Sequence, residues 1–157
     1  MSEGERRDLT GGQLGVWYGQ QLSPGDPVYN IGAYLEIHGD LDVDVFEAAL
    51  RRTVSEADAV HMRFCGDGEA PRQYVDKRCD WPFHVIDVSS ATDPGAAAED
   101  WMQADMRRPA DLAEGPLFTQ ALFKVAPGRF LWYQRCHHIA MDGIGAAVVV
   151  GRQAEVY

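Results

Sequence analysis

Two histidines and an aspartate follow an aromatic, strand-like run. His137-His138-Ile139-Ala140-Met141-Asp142-Gly143 come directly after Arg129-Phe130-Leu131-Trp132-Tyr133-Gln134-Arg135-Cys136. An imidazole held in place moves a proton near neutral pH, so one histidine here can serve as the base for an attacking amine or hydroxyl, with Asp142 supporting the loop. His138 and Asp142 are four apart and share a face if the turn is helical, which admits a second chemistry: two ligands of a metal completed from elsewhere. A third reading is structural, with one histidine satisfied in the core and Asp142 capping the final helix. Cys136 beside His137 raises a Cys-His nucleophile, but neighbours on a strand point to opposite faces, so a buried thiol is the better expectation. The remaining histidines, His38, His61 and His84, are distant in sequence and form no second paired spacing. No metal is expected.

The elements that must position this turn can be read from periodicity and punctuation. Thr10 is a candidate N-cap for a first helix over 10–22, with Leu14, Trp17, Tyr18 and Gln21 at helical spacing and Ser23-Pro24-Gly25-Asp26-Pro27 ending it. A strand over 29–38 closes at Gly39-Asp40. Asp42 starts a second helix whose apolar stripe is Val45, Phe46, Ala49, Leu50 and Val54. Strands are expected over 59–64 and 72–75, joined as a hairpin by a turn-rich link, and over 83–88. Asp93-Pro94 opens a third helix that faces a core with Ala98, Trp101, Met102 and Asp105 and ends before Pro109. Two strands, 117–125 and 128–136, flank Pro127-Gly128, and a last helix runs from Gly143 toward Tyr157. The order predicts an α/β fold, an α+β two-layer sandwich with a mostly antiparallel sheet packed against helices.

The 157 residues, 46% apolar and 10% aromatic, are enough for one folded core. With 24 acidic against 14 basic residues the net charge is -10, and no basic cluster offers a nucleic-acid surface. No apolar run approaches a membrane span, and the first ten residues lack a signal-peptide core, so a soluble, cytoplasmic protein is expected. Cys65, Cys79 and Cys136 fit neither a disulfide framework nor paired zinc spacing and are expected as reduced thiols.

The turn resembles the HHxxxDG signature of condensation domains from nonribosomal peptide synthetases, which share the chloramphenicol acetyltransferase fold. Three other stretches agree, in order. Leu9-Thr10-Gly11-Gly12-Gln13-Leu14-Gly15-Val16-Trp17 is similar to the N-terminal signature. Ala59-Val60-His61-Met62-Arg63-Phe64 stands where LRTxF is usual, and Gly115-Pro116-Leu117 matches a short element before the strand pair. Trp132-Tyr133-Gln134-Arg135 is close to the approach strand of the enterobactin synthetase type. The resemblance implies amide formation, in which the amine of a carrier-bound aminoacyl acceptor attacks a carrier-bound acyl or peptidyl thioester. His138 would act as base or orient the amine, with an imidazole of reference pKa about 6.5 available in its neutral form. His137 and Asp142 would hold the loop, and Gly143 would permit the tight turn and close substrate approach. Gln13, Trp17 and His61 are candidates for lining the substrate tunnel. No cofactor is expected to bind directly, the phosphopantetheine arms of acyl- or peptidyl-carrier proteins being substrates. The signature near Met1 suggests that the domain opens its polypeptide and takes its donor from a separate carrier protein.

The chain departs from the family pattern in three ways. His61 replaces the arginine that normally pairs with the signature aspartate, and Arg63 is the candidate substitute. Ile144-Gly145 follow the signature where an aliphatic or aromatic residue and serine are common. The second-lobe motifs, including the latch and floor loop, are missing, so residues 9–157 are expected to be the N-terminal, donor-side lobe after a tail of residues 1–8. Alone, that lobe is expected to be inactive and to self-associate through the face that meets its partner lobe. Two alternatives are a noncatalytic lobe binding a carrier protein or other partner, and a small acyltransferase with its site between subunits.

Overall fold

The computed structural model describes residues 5–66, 70–78 and 81–157; Cys79 and part of the link between the predicted hairpin strands lie outside them. Among the described residues four α-helices form where capping chemistry predicts. Thr10 and Gln13 make a reciprocal capping box at the start of α1 (Gly11–Leu22). Asp42 caps α2 (Val43–Glu56), Asp93 caps α3 (Pro94–Met106) with Pro94 in its first turn, and Asp142 caps α4 (Gly143–Val156). On α1 the buried face is set by Trp17 and Gln20, while Tyr18 is exposed, so the face lies one residue round from the expected stripe. Among the described residues no helix is long and apolar enough to cross a membrane.

The strands form two sheets. The larger has the order β2 (Asn30–His38), β7 (Arg129–His137), β6 (Phe118–Ala126), β5 (Phe83–Asp87). Its pairings are antiparallel except β5 with β6, which is parallel and needs the crossover that α3 supplies. The smaller sheet holds β1 (Arg7–Asp8), β4 (Arg72–Val75) and β3 (Met62–Cys65), all antiparallel. The expected strand from residue 59 begins only at Met62, because Asp58–His61 coil into a 3-10 turn. There the His61 imidazole meets the Val54 carbonyl of the last turn of α2 at 3.0 Å, occupying a helix-end acceptor.

Period-two alternation divides the core. Phe130, Trp132 and Cys136 of β7 and Phe118 and Leu122 of β6 pack with Phe46, Leu50 and Val54 of α2 and Val149 of α4. Leu131, Tyr133, Ala121, Phe123 and Val125 face the other way, onto Ala98 and Met102 of α3. The mostly antiparallel sheet packed against helices is present, and α3 adds cover on the second face that a two-layer description omits. A third cluster joins Leu9, Trp17, Phe64, Leu112, Leu117 and Ile139, seating α1, the small sheet and the turn after β7 on one another.

The end of β7 is fastened to α3 by a buried polar network. Arg135 Nε donates to Asp105 Oδ2 at 2.7 Å, Nη2 to Thr119 Oγ1 at 2.6 Å and Nη1 to Asn30 Oδ1 at 3.3 Å. Tyr133 donates to the same Asp105 oxygen at 3.1 Å, and Asn30 Nδ2 donates to the carbonyls of Met106 and Arg108. A buried pair broken on one side leaves an uncompensated charge. Asp105→Ala should therefore cost about 3–5 kcal/mol by urea denaturation. Glu47→Ala, which breaks the exposed Arg51 pair, should cost about 0.5 kcal/mol or less.

Candidate functional site

The site is the turn between β7 and α4. His137 ends β7 with its N–H on the Leu117 carbonyl at 2.8 Å, and its own carbonyl accepts from Ala140 N at 3.0 Å. The His138 N–H reaches the Tyr29 carbonyl at 2.8 Å, tying the turn to the entry of β2. Successive residues then go to different places. Cys136 is buried with the α2–α4 cluster, where burial pushes its thiol up to about 11 and keeps it protonated. That is an inert thiol, and the cysteine nucleophile has no support. His137 is 1% exposed, and His138 is exposed.

The two rings are held as opposite tautomers. His138 Nδ1 lies 3.2 Å from the Met141 carbonyl. A carbonyl only accepts, so Nδ1 carries the proton and Nε2 presents its lone pair outward. His137 Nδ1 accepts from Ile139 N–H at 3.3 Å, and its Nε2 lies 3.2 Å from Gln20 Oε1, to which it donates. Burial, then the charges of Arg135 and His138, lower its pKa to about 4, so the ring is neutral at neutral pH. This arrangement suits His138 to accept a proton or a hydrogen bond from an amine.

The supporting residues are not all where the sequence suggests. Asp142 is exposed, and its Oδ1 accepts from Gly145 N–H at 2.8 Å as the cap of α4. Among the described residues no ion pair to Asp142 is present. His61 is buried against Val54, with its pKa lowered chiefly by burial. Arg63 is 2% exposed, with Nη1 donating to the Met62 carbonyl at 2.7 Å and Nη2 lacking a partner among the described residues. Its guanidinium carbon would lie 2.5 Å from a Cβ at Gly115, so it packs against that turn. Gly143 has no left-handed backbone, unlike Gly115 and Gly128, and a Cβ there meets open space. The tight turn therefore does not need it. Gly145 is the constrained glycine, since a Cβ would stand 2.9 Å from Met141 Cγ, where α4 passes the turn.

Of the three residues expected along the tunnel, Trp17 borders an open cavity of about 540 Å³ with Gln20, Pro24, Phe64 and Cys65. Gln13 donates to the Ile139 carbonyl at 3.3 Å and to Gln73 at 2.9 Å, so it anchors the turn. His61 faces the end of α2. Sequence reading missed Gln20, whose only signal was a polar residue three after Trp17 on the buried face. Among the described residues no group of three or more His, Cys, Asp or Glu could hold a metal ion, which leaves the two-ligand reading of His138 and Asp142 without a third ligand.

Two measurements follow from this geometry. A cap requires only an acceptor, so Asp142→Ala should cost about 1 kcal/mol while Asp142→Asn costs little. An ion-pair role would make both equally damaging, and urea midpoints separate the two. For His137 the folded pKa, about 4, lies below the value near 6.5 of a free imidazole, so between them the unfolded chain binds a proton that the folded chain does not. Stability should fall as pH drops from about 6.5 to about 4, with His61 acting in the same direction. His137→Gln should flatten that slope.

Comparison with known proteins agrees with the geometry. The model of the family described as the condensation domain matches residues 5–157. The chain is 47% identical over 149 residues to a dimodular nonribosomal peptide synthase of Bacillus subtilis, covering 95% of this chain and 6% of that protein. It is 45% identical over 154 residues to an isonitrile lipopeptide synthase of Streptomyces coeruleorubidus, covering 98% of this chain and 10% of the relative. Enterobactin synthase component F of Escherichia coli is 30% identical over 151 residues, with 95% and 12% covered. Among solved structures, the starter condensation domain of rhizomide synthetase RzmA, in complex with C8-CoA, superposes with a TM-score of 0.93 at 45% identity, over 97% of this chain and 35% of that one. The first condensation domain of the calcium-dependent antibiotic synthetase gives 0.92 at 35% identity, over 99% and 40%. The chain thus spans a tenth or so of the curated relatives and somewhat over a third of the solved domains.

Proposed function

The chain belongs to the condensation-domain family, and from that premise we propose that it is the donor-side lobe of a domain that joins two carrier-bound substrates through an amide bond. The observation that carries this reading is the exposed His138 ring, fixed through Nδ1 to the Met141 carbonyl with Nε2 open to a substrate. In the proposed reaction the acceptor's α-amine attacks the donor thioester carbonyl. A C–N bond forms, the C–S bond breaks, the amine loses a proton and the departing thiolate of the donor's phosphopantetheine arm gains one. His138 Nε2 accepts the amine's hydrogen bond or its proton during the attack. Asp142 holds the start of α4 through its cap, and Gly143 leaves open space beside that start.

The partners we assign are acyl- or peptidyl-carrier proteins and a second lobe that completes the tunnel. The exposed apolar side chains Ile144 and Val148 on α4, and Tyr18 and Leu22 on α1, support such a lobe, or a second copy in its absence. A single lobe positions one substrate wall only, and positioning supplies much of catalysis, so the 157 residues alone should form no product. In a full-length synthetase carrying this segment, His138→Ala should lower amide formation from two loaded carrier proteins on the order of 100-fold or more, the scale of a lost acid–base group. A wild-type rate in that variant would refute the catalytic assignment and favour a noncatalytic carrier-binding lobe.

A further inference from the structure

Gln20 is 4% exposed and sits in the middle of a hydrogen-bonded set that the reaction scheme leaves unused. Its amide nitrogen lies 3.0 Å from the Ser23 carbonyl, 3.2 Å from that of Pro24 and 3.1 Å from that of Asp26. Three acceptors around one end of an amide fix which end is nitrogen, because a flipped amide would set oxygen against oxygen. The other end, Oε1, faces His137 Nε2 at 3.2 Å and can only accept. His137 must then carry its proton on Nε2, which leaves Nδ1 free to receive the Ile139 N–H that shapes the turn. The other groups around this ring are Tyr29, at 6.0 Å between ring centroids, and the charged or titratable Arg135 on β7 and His138 on the turn. None of these supplies an acceptor to Nε2 in place of Gln20 among the described residues.

We propose that Gln20 is a positioning residue: by offering His137 only an acceptor, it selects the tautomer that builds the turn on which His138 stands. The inference rests on the reading that His138 serves the reaction. It joins α1 to the chemistry through one side chain, and the same amide ties down the loop leading to Tyr29, whose carbonyl holds the His138 N–H.

Ring-nitrogen NMR of the ¹⁵N-labelled 157-residue chain should show His137 neutral at pH 7 with its proton on Nε2. In a full-length synthetase, Gln20→Leu keeps the side chain's bulk and removes both functions. It should lower kcat on the order of ten- to a hundredfold, the scale seen for partners that orient histidine ligands, with KM changed less than about twofold. Gln20→Glu places an ionisable group against His137, so the pair titrates together and a new ionisation should enter the kcat–pH profile. A His137 proton on Nδ1 in the wild type overturns the proposal, as does Gln20→Leu with wild-type kcat and tautomer. Should Gln20→Leu fail to fold, the wild-type tautomer and the Gln20→Glu profile decide, an unchanged profile counting against it. A fully active His138→Ala enzyme beside an intact Nε2–H tautomer would sink the functional reading and leave the tautomer assignment standing.

Discussion

The turn that carries His138 depends on His137 donating from one ring nitrogen while accepting at the other, and only a neutral imidazole can do both. A protonated ring would set an N–H against the Ile139 N–H. Burial enforces the neutral form by withholding water from the charged one, and Arg135 adds repulsion from two residues away. The less exposed histidine of the pair is thereby held neutral, and the backbone beneath its exposed neighbour rests on that neutral ring.

The polar groups near the turn fall into a buried set and an exposed one. Among the buried, Arg135 and Asp105 form a full ion pair, with Tyr133, Thr119 and Asn30 satisfying further sites. Such a pair gives geometry more than stability, since its desolvation offsets much of its attraction. Gln20 and His137 are buried as well and meet as neutral groups. Exposed are Asp142 and His138, each with one side-chain hydrogen bond to backbone. The buried Arg135 charge is thus paired, whereas the buried Arg63 has no ion pair among the described residues, and the two motif residues at the surface are open to water.

Much of this was legible in the chain itself, and the reasons differ by element. Thr10, Asp42 and Asp93-Pro94 mark helix starts because capping is local chemistry within four residues. Ala98, Met102 and Asp105 of α3 were correctly placed on one face by spacing alone. The hairpin of β3 and β4 was legible, but not that it forms a sheet of its own with β1, two residues that pair with β4 some sixty-five positions away. The parallel pairing of β5 likewise depends on a partner across α3. At the site, the histidines and aspartate were visible as a motif and the cap made by Asp142 was one of its readings, but the burial of His61 and Arg63 depends on which neighbours the fold supplies. Gln20 carried little signal of its own because its partners are three loop carbonyls and a ring 117 positions later.

That separation has a consequence for how the molecule is made. Gln13 bonds to Ile139 across 126 positions and Gln20 to His137 across 117, while the hairpin of β6 and β7 closes through neighbouring residues. During synthesis the first helix leaves the ribosome long before the turn it will hold. Its glutamines have local partners, Gln13 in the Thr10 capping box and Gln20 at the Ser23, Pro24 and Asp26 carbonyls, but their bonds to the turn span more than a hundred positions, an entropically costly closure. The geometry around His138 is therefore set by contacts made across the whole fold and not by the local sequence of the turn alone.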